Sequence, residues 1–116
     1  MSDPHPSVEL DDIVHQRVRL GLLALLRPVA AMEFTLLRDT LHLTDGNLNR
    51  HLAVLRNAGL VEVEKRSGVG SRRTWLAMSD AGRTAFDAEV AVLRHLVDSA
   101  TRAAPGDPLR AVSRAP

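Results

Sequence analysis

Apolar residues between positions 45 and 57 repeat with the period of an α-helix. Leu48, Leu52 and Leu55 recur at i, i+4 and i+7, which places them on one helical face. The opposite face is small, polar and cationic, and it consists of Asp45, Gly46, Asn49, Arg50, Ala53, Arg56 and Asn57. The pattern predicts a helix that packs on a core through its leucines and keeps a hydrophilic face outside.

Local signals bound this helix, and a shorter helix precedes it. Thr44 stands at the N-cap position and Gly59 at the C′ position. The shorter helix is predicted over residues 35–41 and is joined to the longer one by a tight turn at residues 42–44. Its inward residues are expected to be Leu36, Leu37 and Leu41. Residues 32–34 fit either an edge strand or the lead-in to the short helix.

An earlier helix is predicted over residues 11–27. Asp11 and Asp12 suit the positive end of its dipole, and Pro28 stops it. Its apolar residues cover most of the circumference, and they are Ile13, Val14, Val18, Leu22, Leu23, Leu25 and Leu26. A helix that is apolar on several sides is buried on several sides, so we expect a second subunit to cover part of it.

Alternating, valine-rich positions after the longer helix predict a β-hairpin. Its strands are residues 60–65 and 72–78, and the Gly- and Ser-rich segment 66–71 is the turn. Ser79 then caps a last helix over residues 80–103. The apolar stripe of that helix comprises Phe86, Val90, Leu93 and Val97.

The two ends of the chain differ from the middle. Pro4 and Pro6 disfavour helix in residues 1–10, which we expect to form a flexible N-terminus in which little packs. Residues 105–116 are expected to form a disordered tail. Residues 11–104 then make one domain of the α+β class, mainly α.

Composition narrows the class of protein. The 116 residues are 45% hydrophobic and 25% charged, which is ordinary for a globular domain. The sequence contains no cysteine, and therefore neither a disulfide framework nor a thiolate metal site. No apolar run approaches the ~20 residues that span a bilayer, and the N-terminus lacks the order of a signal peptide. We therefore expect a cytoplasmic protein without a membrane partner.

Positive charge is concentrated in one part of a nearly neutral chain. The formal net charge is +1. Between positions 50 and 73, six cations stand against two acids, a local excess of +4. The cations are Arg50, Arg56, Lys65, Arg66, Arg72 and Arg73, and the acids are Glu62 and Glu64. A local basic stripe is typical of a nucleic-acid-binding surface.

The outer face of the leucine-anchored helix has the composition that a DNA major groove accommodates. Asn49 suits an adenine edge, Arg50 suits a guanine edge or a phosphate, and Thr44 with the helix N-terminus suits a phosphate. The candidate DNA-binding residues on this helix are Thr44, Asp45, Gly46, Asn47, Asn49, Arg50 and Arg56. The alternatives are that Asp45 is a helix-start acid favoured by the dipole and that Asn47 and Asn49 are merely solvated.

The hairpin supplies the remaining candidates. Arg66, Arg72 and Arg73 surround its turn, where they would lie beside the DNA backbone or in the minor groove. Lys65 is a further candidate. The alternative is a solvated hairpin tip that its charges keep soluble.

Other chemistries find little support. No histidine pair stands at i, i+4, although a metal site using His15 or His95 with Glu89 across a dimer interface stays an alternative. The sequence has no glycine-rich phosphate loop and no paired-carboxylate motif, so we expect no enzyme and no cofactor. Trp75 is expected to anchor the core or an interface, with a small-molecule pocket beside it as the alternative. His51 is expected to be a partly buried helix residue.

Three segments resemble a known family. The run LTDGNLNRHLAVLRNAGLV (residues 43–61) resembles the recognition helix and first wing strand of bacterial ArsR/MarR-type regulators. SDAGR (residues 79–83) is similar to the T-x-x-G-R start of the helix after the wing in MarR-like proteins, and HQRVRL (residues 15–20) to the first helix of the small members. The resemblance covers residues 10–95 and indicates a stand-alone winged helix-turn-helix domain.

This resemblance implies a homodimer whose interface is formed by the first helix (residues 11–27) and the last helix (residues 80–103). It implies transcriptional regulation, with the chain acting as a repressor at a short palindromic operator on double-stranded DNA. The alternative is a winged helix that serves as a protein–protein interaction module without sequence-specific DNA binding. A small-molecule effector would need to bind at the dimer interface or between the wing and the first helix.

Overall fold

The computed structural model describes residues 4–68 and 71–102. In chain order, the elements of this part are a 3₁₀ turn (Pro6–Glu9), α1 (Arg17–Leu26), β1 (Met32–Glu33), α2 (Phe34–Thr40), α3 (Asp45–Asn57), β2 (Val61–Gly68), β3 (Ser71–Met78) and α4 (Asp80–Arg102). The strands form one antiparallel sheet in the order β1-β3-β2. The predicted α+β, mainly helical class is confirmed.

One apolar core joins the first three helices to the sheet. Its buried residues are Val14, Leu22, Leu23, Leu26, Leu37, Leu48, Leu52, Leu55, Leu60, Val61, Leu76 and Met78. The helix α1 lies at the centre, where it packs against α3, α4 and β3. Elements of the same chain therefore bury Leu22, Leu23 and Leu26 without the second subunit that we expected, whereas Leu20 and Leu25 are only partly buried.

The helix α1 begins at Arg17, so the predicted start at Asp11 is wrong. The Asp11 carboxylate accepts a hydrogen bond from the Ile13 N–H group at 2.8 Å and closes a local turn. The Gln16 side chain then caps the helix by accepting from the Val18 N–H group at 2.9 Å. Side chains that bond nearby backbone N–H groups compete with helix formation, and here they delay it.

The helix-turn-helix follows the prediction except at one leucine. The Thr44 hydroxyl accepts a hydrogen bond from the Asn47 N–H group at 3.1 Å, which confirms Thr44 as the N-cap of α3. Leu37 is fully buried, whereas Leu36 is 55% exposed. The predicted inward position of Leu36 is therefore wrong. Successive residues on a helix point about 100° apart. Because α2 is short and contacts the core on one side, it buries Leu37 and leaves Leu36 exposed.

A compact corner joins the end of α3 to the start of α4. Gly59 adopts a φ of +76°, and the Leu60 N–H group donates to the Leu55 carbonyl at 2.9 Å, as in a Schellman motif. The Ser79 hydroxyl donates to the Gly59 carbonyl at 2.6 Å and accepts from the Gly82 N–H group at 2.9 Å. A Cβ on Gly82 would collide with the Leu60 carbonyl oxygen, so this approach requires glycine.

The sheet is larger than the predicted hairpin. Both alternatives for residues 32–34 are realised, because Met32 pairs with Leu76 in an edge strand and Phe34 begins α2. Pairing of the hairpin strands continues to Gly68 and Ser71. Most of the residues predicted as a turn therefore extend the strands.

The N-terminal segment packs more than its composition suggested. The 3₁₀ turn lies against α4, and the Asp11 N–H group donates to the Glu89 carboxylate of α4 at 3.0 Å. Residues 6–11 therefore pack on the fold, where we expected little packing in residues 1–10. The predicted domain boundaries remain predictions, and the predicted tail at residues 105–116 lies outside the described residues.

Candidate nucleic-acid interface

The two sides of α3 divide as the sequence predicted. Leu48, Leu52 and Leu55 are buried. The candidate DNA-binding residues of this segment are all exposed, and they are Thr44, Asp45, Gly46, Asn47, Asn49, Arg50 and Arg56. The first-turn N–H groups of a helix have no partner within the helix, so this end of α3 presents donors as well as side chains.

Gly46 occupies an open position on this exposed face. A Cβ built on Gly46 meets no atom within 4 Å. Glycine in an exposed helix is less favourable than alanine by up to ~1 kcal/mol. The fold therefore gains nothing from glycine here, in contrast to Gly82.

A groove separates α3 from the wing, which is the hairpin of β2 and β3. Its volume is about 420 Å³, and it is lined by Phe34, Asp45, Asn49, Leu52, Ala53, Arg56, Val63, Lys65 and Thr74. Arg56 stands on the helical wall and Lys65 on the wall formed by the wing. The groove thus carries a cation on each side, and Asp45 contributes a carboxylate near the start of α3.

The register of the wing divides its cations between two faces. Lys65 pairs with Thr74 and lines the groove, and two residues further along β2, Ser67 pairs with Arg72. Because side chains alternate along a strand, Lys65 and Arg72 belong to the sheet face that looks toward α3. The neighbours Arg66 and Arg73, which pair with each other, belong to the opposite face.

The cations of the opposite face have acidic or aromatic partners within the chain. The Arg66 guanidinium lies 5.4 Å from the Trp75 ring centroid and 3.1 Å from the Glu64 carboxylate. Arg73 lies 3.4 Å from the Glu33 carboxylate. Exposed pairs of this kind contribute at most ~1 kcal/mol. Trp75 itself is half-buried beneath Arg66 and lies outside the buried core.

Arg50 lies on the exposed face of α3 with a single weak contact among the described side chains. Its guanidinium donates to the Asn47 amide oxygen at 3.3 Å, one helical turn away. Both side chains are exposed, so this contact leaves most of the guanidinium donors of Arg50 free for a partner.

Arg38 at the end of α2 is a component of this surface that sequence reasoning missed. It lies 2.9 Å from the Asp39 carboxylate and 2.8 Å from the Asp45 carboxylate. Hydrogen bonds to Asp39 and then Asp45 raise the pKa of Arg38, and Arg38 in turn lowers the pKa of Asp39. The pairing depends on the helix-turn-helix bend, where His42 has a φ of +54°, and the sequence spacing alone does not reveal it.

His51 lies on the rear of α3 and is 9% exposed, so it is more deeply buried than the partly buried position that we predicted. The Arg19 guanidinium lies 3.3 Å from the His51 ring nitrogen Nδ1. Burial, and then the positive charges of Arg19 and Arg50, lower the pKa of His51. The neutral ring is therefore favoured in the folded protein.

The structure brings together two of the residues that we considered as metal ligands. His15 and Glu89 are indeed adjacent, with 2.9 Å between the ring nitrogen Nδ1 and the carboxylate oxygen Oε2. Residues 4–68 and 71–102 contain no group of three histidine or acidic side chains that could hold an ion.

In the same part of the chain, no helix is long and apolar enough to cross a membrane.

A short helix, a sharp turn, a second helix with an exposed polar face and an adjoining hairpin together define a winged helix-turn-helix. The chain belongs to the family of winged helix DNA-binding domains, whose model matches residues 18–97. It is accordingly a DNA-binding regulator rather than an enzyme, as the sequence predicted.

The chain is similar to several known proteins. An uncharacterised protein of Methanocaldococcus jannaschii is 40% identical over 74 residues, which are 64% of this chain and 80% of that protein. A transcriptional regulator homologue from Pyrococcus horikoshii has a TM-score of 0.75 and 29% identity, covering 81% of this chain and 93% of that one. A MarR-family regulator from Silicibacter pomeroyi shares the fold, with a TM-score of 0.60 and 20% identity over 94% of this chain and 73% of that one. The predicted winged helix-turn-helix architecture is confirmed.

Proposed function

We propose that the protein is a sequence-specific regulator that binds double-stranded DNA as a homodimer and represses transcription at a palindromic operator. The observation that carries the proposal is the exposed polar face of α3 beside a groove with Arg56 and Lys65 on opposite walls. A helix of this kind enters the major groove, and cations at its margins neutralise phosphates. A protein-binding face, by contrast, usually offers aromatic or large apolar anchors.

The exposed side chains suggest a division of roles on DNA. Asn49 and Arg50 project from the first two turns of α3, where side chains reach base edges, and Asn47 lies beside them. Thr44, Asp45 and Gly46 lie at the helix N-terminus, where the DNA backbone would pass. The wing then contacts the flanking backbone or minor groove through Lys65, Arg66, Arg72 and Arg73, together with Arg56 across the groove.

Within this set, the wing cations differ in how freely they can contact DNA. Lys65 and Arg72 share the sheet face that looks toward α3. Arg66 and Arg73 each bond a carboxylate, of Glu64 and Glu33 respectively, which offsets part of their attraction to a phosphate. We therefore expect Lys65 and Arg72 to contribute more to affinity.

The proposed dimer rests mainly on α4. Val90, Leu93 and Val97 lie along one side of this helix and line a shallow apolar groove, and Val97 is 58% exposed. Pairing α4 with its copy would remove this stripe from water. Two copies of α3 about 34 Å apart would then read two half-sites, which is why the operator is expected to be palindromic.

A binding experiment with genomic DNA tests the proposal. Fragments retained by the protein are recovered and sequenced, and binding of the enriched fragment is compared with a scrambled fragment at two salt concentrations. We expect a preference for the enriched sequence and an affinity that falls steeply with salt. Mass measurement in solution tests the dimer, and a promoter fusion carrying the enriched site tests the sign of regulation.

The competing role as a protein-interaction module makes the opposite prediction. In that case no DNA sequence is enriched even at low salt, and Arg50→Ala leaves any weak background binding unchanged. A monomer at micromolar concentration would contradict the dimer without contradicting DNA binding.

A further inference from the structure

A carboxylate stands where the proposed DNA backbone would pass. Asp45 is the first residue of α3, and its side chain is 67% exposed. It lines the same groove as Arg56 and Lys65. A phosphate that approached this groove would meet a like charge, which would oppose the attraction of the two cations.

The groove itself does not neutralise Asp45. Among the described residues, the ion pair of Asp45 is formed with Arg38, which belongs to α2, at 2.8 Å. Neither Arg56 nor Lys65 pairs with it in that part of the chain. The compensating charge therefore comes from outside the groove, through the helix-turn-helix bend.

The bend fixes Arg38 in this position. Its backbone carbonyl accepts a hydrogen bond from the Leu43 N–H group at 2.9 Å. Its Nε atom donates to Asp39 at 2.9 Å while Nη1 donates to Asp45, and the side chain is only 29% exposed. Two carboxylates thus hold the guanidinium, and its orientation is set before any partner arrives.

We propose that Arg38 is a positioning residue of the DNA interface. It offsets part of the charge of Asp45 and holds the Asp45 carboxylate so that the start of α3 can approach phosphates. The inference rests on the proposed DNA-binding function. Arg38 acts through Asp45 and does not itself contact the nucleic acid. Asp45 is exposed and Arg38 is half-buried, so we expect their ion pair to contribute little to folding stability and to act on binding.

A double-mutant cycle tests the inference on the full-length chain with the enriched genomic fragment. The variants are Arg38→Met, Asp45→Asn and the two combined, and the measurements are affinity against salt and the melting temperature. Arg38→Met keeps the apolar stem and removes the charge. We expect it to weaken binding roughly fivefold, because a surface carboxylate is left uncompensated. If Arg38 acts only through Asp45, the combined variant should bind within about twofold of Asp45→Asn alone, because Arg38 then has no carboxylate in the groove to offset.

Asp39→Asn is the matched control. Asp39 is the other carboxylate bound to Arg38, but it does not line the groove. Its replacement should leave DNA affinity within about twofold of the parent value. An equal gain from Asp39→Asn and Asp45→Asn would indicate a general effect of net charge and would overturn the inference.

Other outcomes also contradict the proposal. If the combined variant binds as weakly as Arg38→Met, then Arg38 contacts DNA itself. If the affinity loss follows a lower melting temperature, then Arg38 is a structural tie between α2 and α3. Arg50→Ala separates this inference from the function on which it rests. Weak binding by Arg50→Ala with full binding by Arg38→Met overturns the inference alone, whereas a parent protein that prefers no DNA fragment overturns the proposed function with it.

Discussion

The rear and the front of α3 are built from different kinds of residue for different purposes. The rear carries three buried leucines and His51, which pack against the core and Arg19. The front carries short polar side chains, an open glycine and Arg50, none of which supports the core. The residues that support the core and those proposed to bind DNA are therefore on opposite sides of one 13-residue helix, and substitutions on the two sides should have separable effects.

The largest effect should come from the rear. Leu55 is fully buried, and Leu55→Ala should lower the free energy of unfolding by about 2–5 kcal/mol because it leaves a cavity. Urea denaturation at fixed protein concentration measures the loss. The folded fraction should retain parental operator affinity, and a specific loss of affinity without loss of stability would break the separation.

Arg50→Ala is the counterpart on the front. It should weaken binding to the preferred sequence by about 1–3 kcal/mol while the urea midpoint stays unchanged, because Arg50 is exposed and makes one weak contact. Fluorescence anisotropy with the enriched and scrambled fragments measures the change. Equal weakening on both fragments would indicate a phosphate contact rather than a base contact.

The wing sharpens the comparison by offering cations on two faces of one hairpin. Arg72→Ala should lower affinity for all sequences and reduce the salt slope by about 1, as expected for one lost phosphate contact. Arg73→Ala is the adjacent control, because Arg73 already pairs with Glu33, and its effect should be smaller. The reverse ranking would mean that the wing presents its other face to DNA.

A substitution at Gly46 should change folding stability and DNA affinity in opposite directions. Gly46→Ala should raise the free energy of unfolding by up to about 1 kcal/mol, since the added methyl group meets open space. The same methyl group should weaken operator binding if the DNA approaches the helix at this point. A variant that gains stability and keeps its full affinity would remove Gly46 from the interface.

The smallest expected effect is the pH dependence contributed by His51. Its pKa is lowered in the folded chain, so the unfolded chain binds more protons, and stability should fall as the pH drops below its ordinary value of about 6.5. Urea midpoints between pH 5 and 8 for the parent and for His51→Gln isolate this contribution from the other histidines. If the two curves are parallel, His51 does not titrate differently on folding.

Local chemistry explains which parts of the fold could be predicted from the sequence. The N-cap at Thr44 and the left-handed Gly59 depend on residues within one turn, and both are confirmed. The start of α1 was misplaced because the side chains of Asp11 and Gln16 bond backbone groups that a helix would otherwise use. The spacing of apolar residues does not reveal hydrogen bonds between polar side chains and the backbone.

The candidate site shows the same limit at longer range. Alternation implies that Lys65 and Arg66 lie on opposite faces, but the strand register is needed to place Arg72 with the first and Arg73 with the second. The pairing of Arg38 with Asp45 depends on a bend between two helices. The proposed contacts with DNA stay predictions until they are measured.

The corner at Ser79 connects α3 and α4 rigidly. The Ser79 hydroxyl is bonded to the Gly59 carbonyl, and the Gly82 backbone fits against Leu60 without room for a side chain. The C-terminal end of α3 is therefore held tightly against the N-terminal end of α4. A rotation of α4 would therefore turn α3 with it. In the proposed dimer, the angle between the two α4 helices would then set the distance between the two copies of α3.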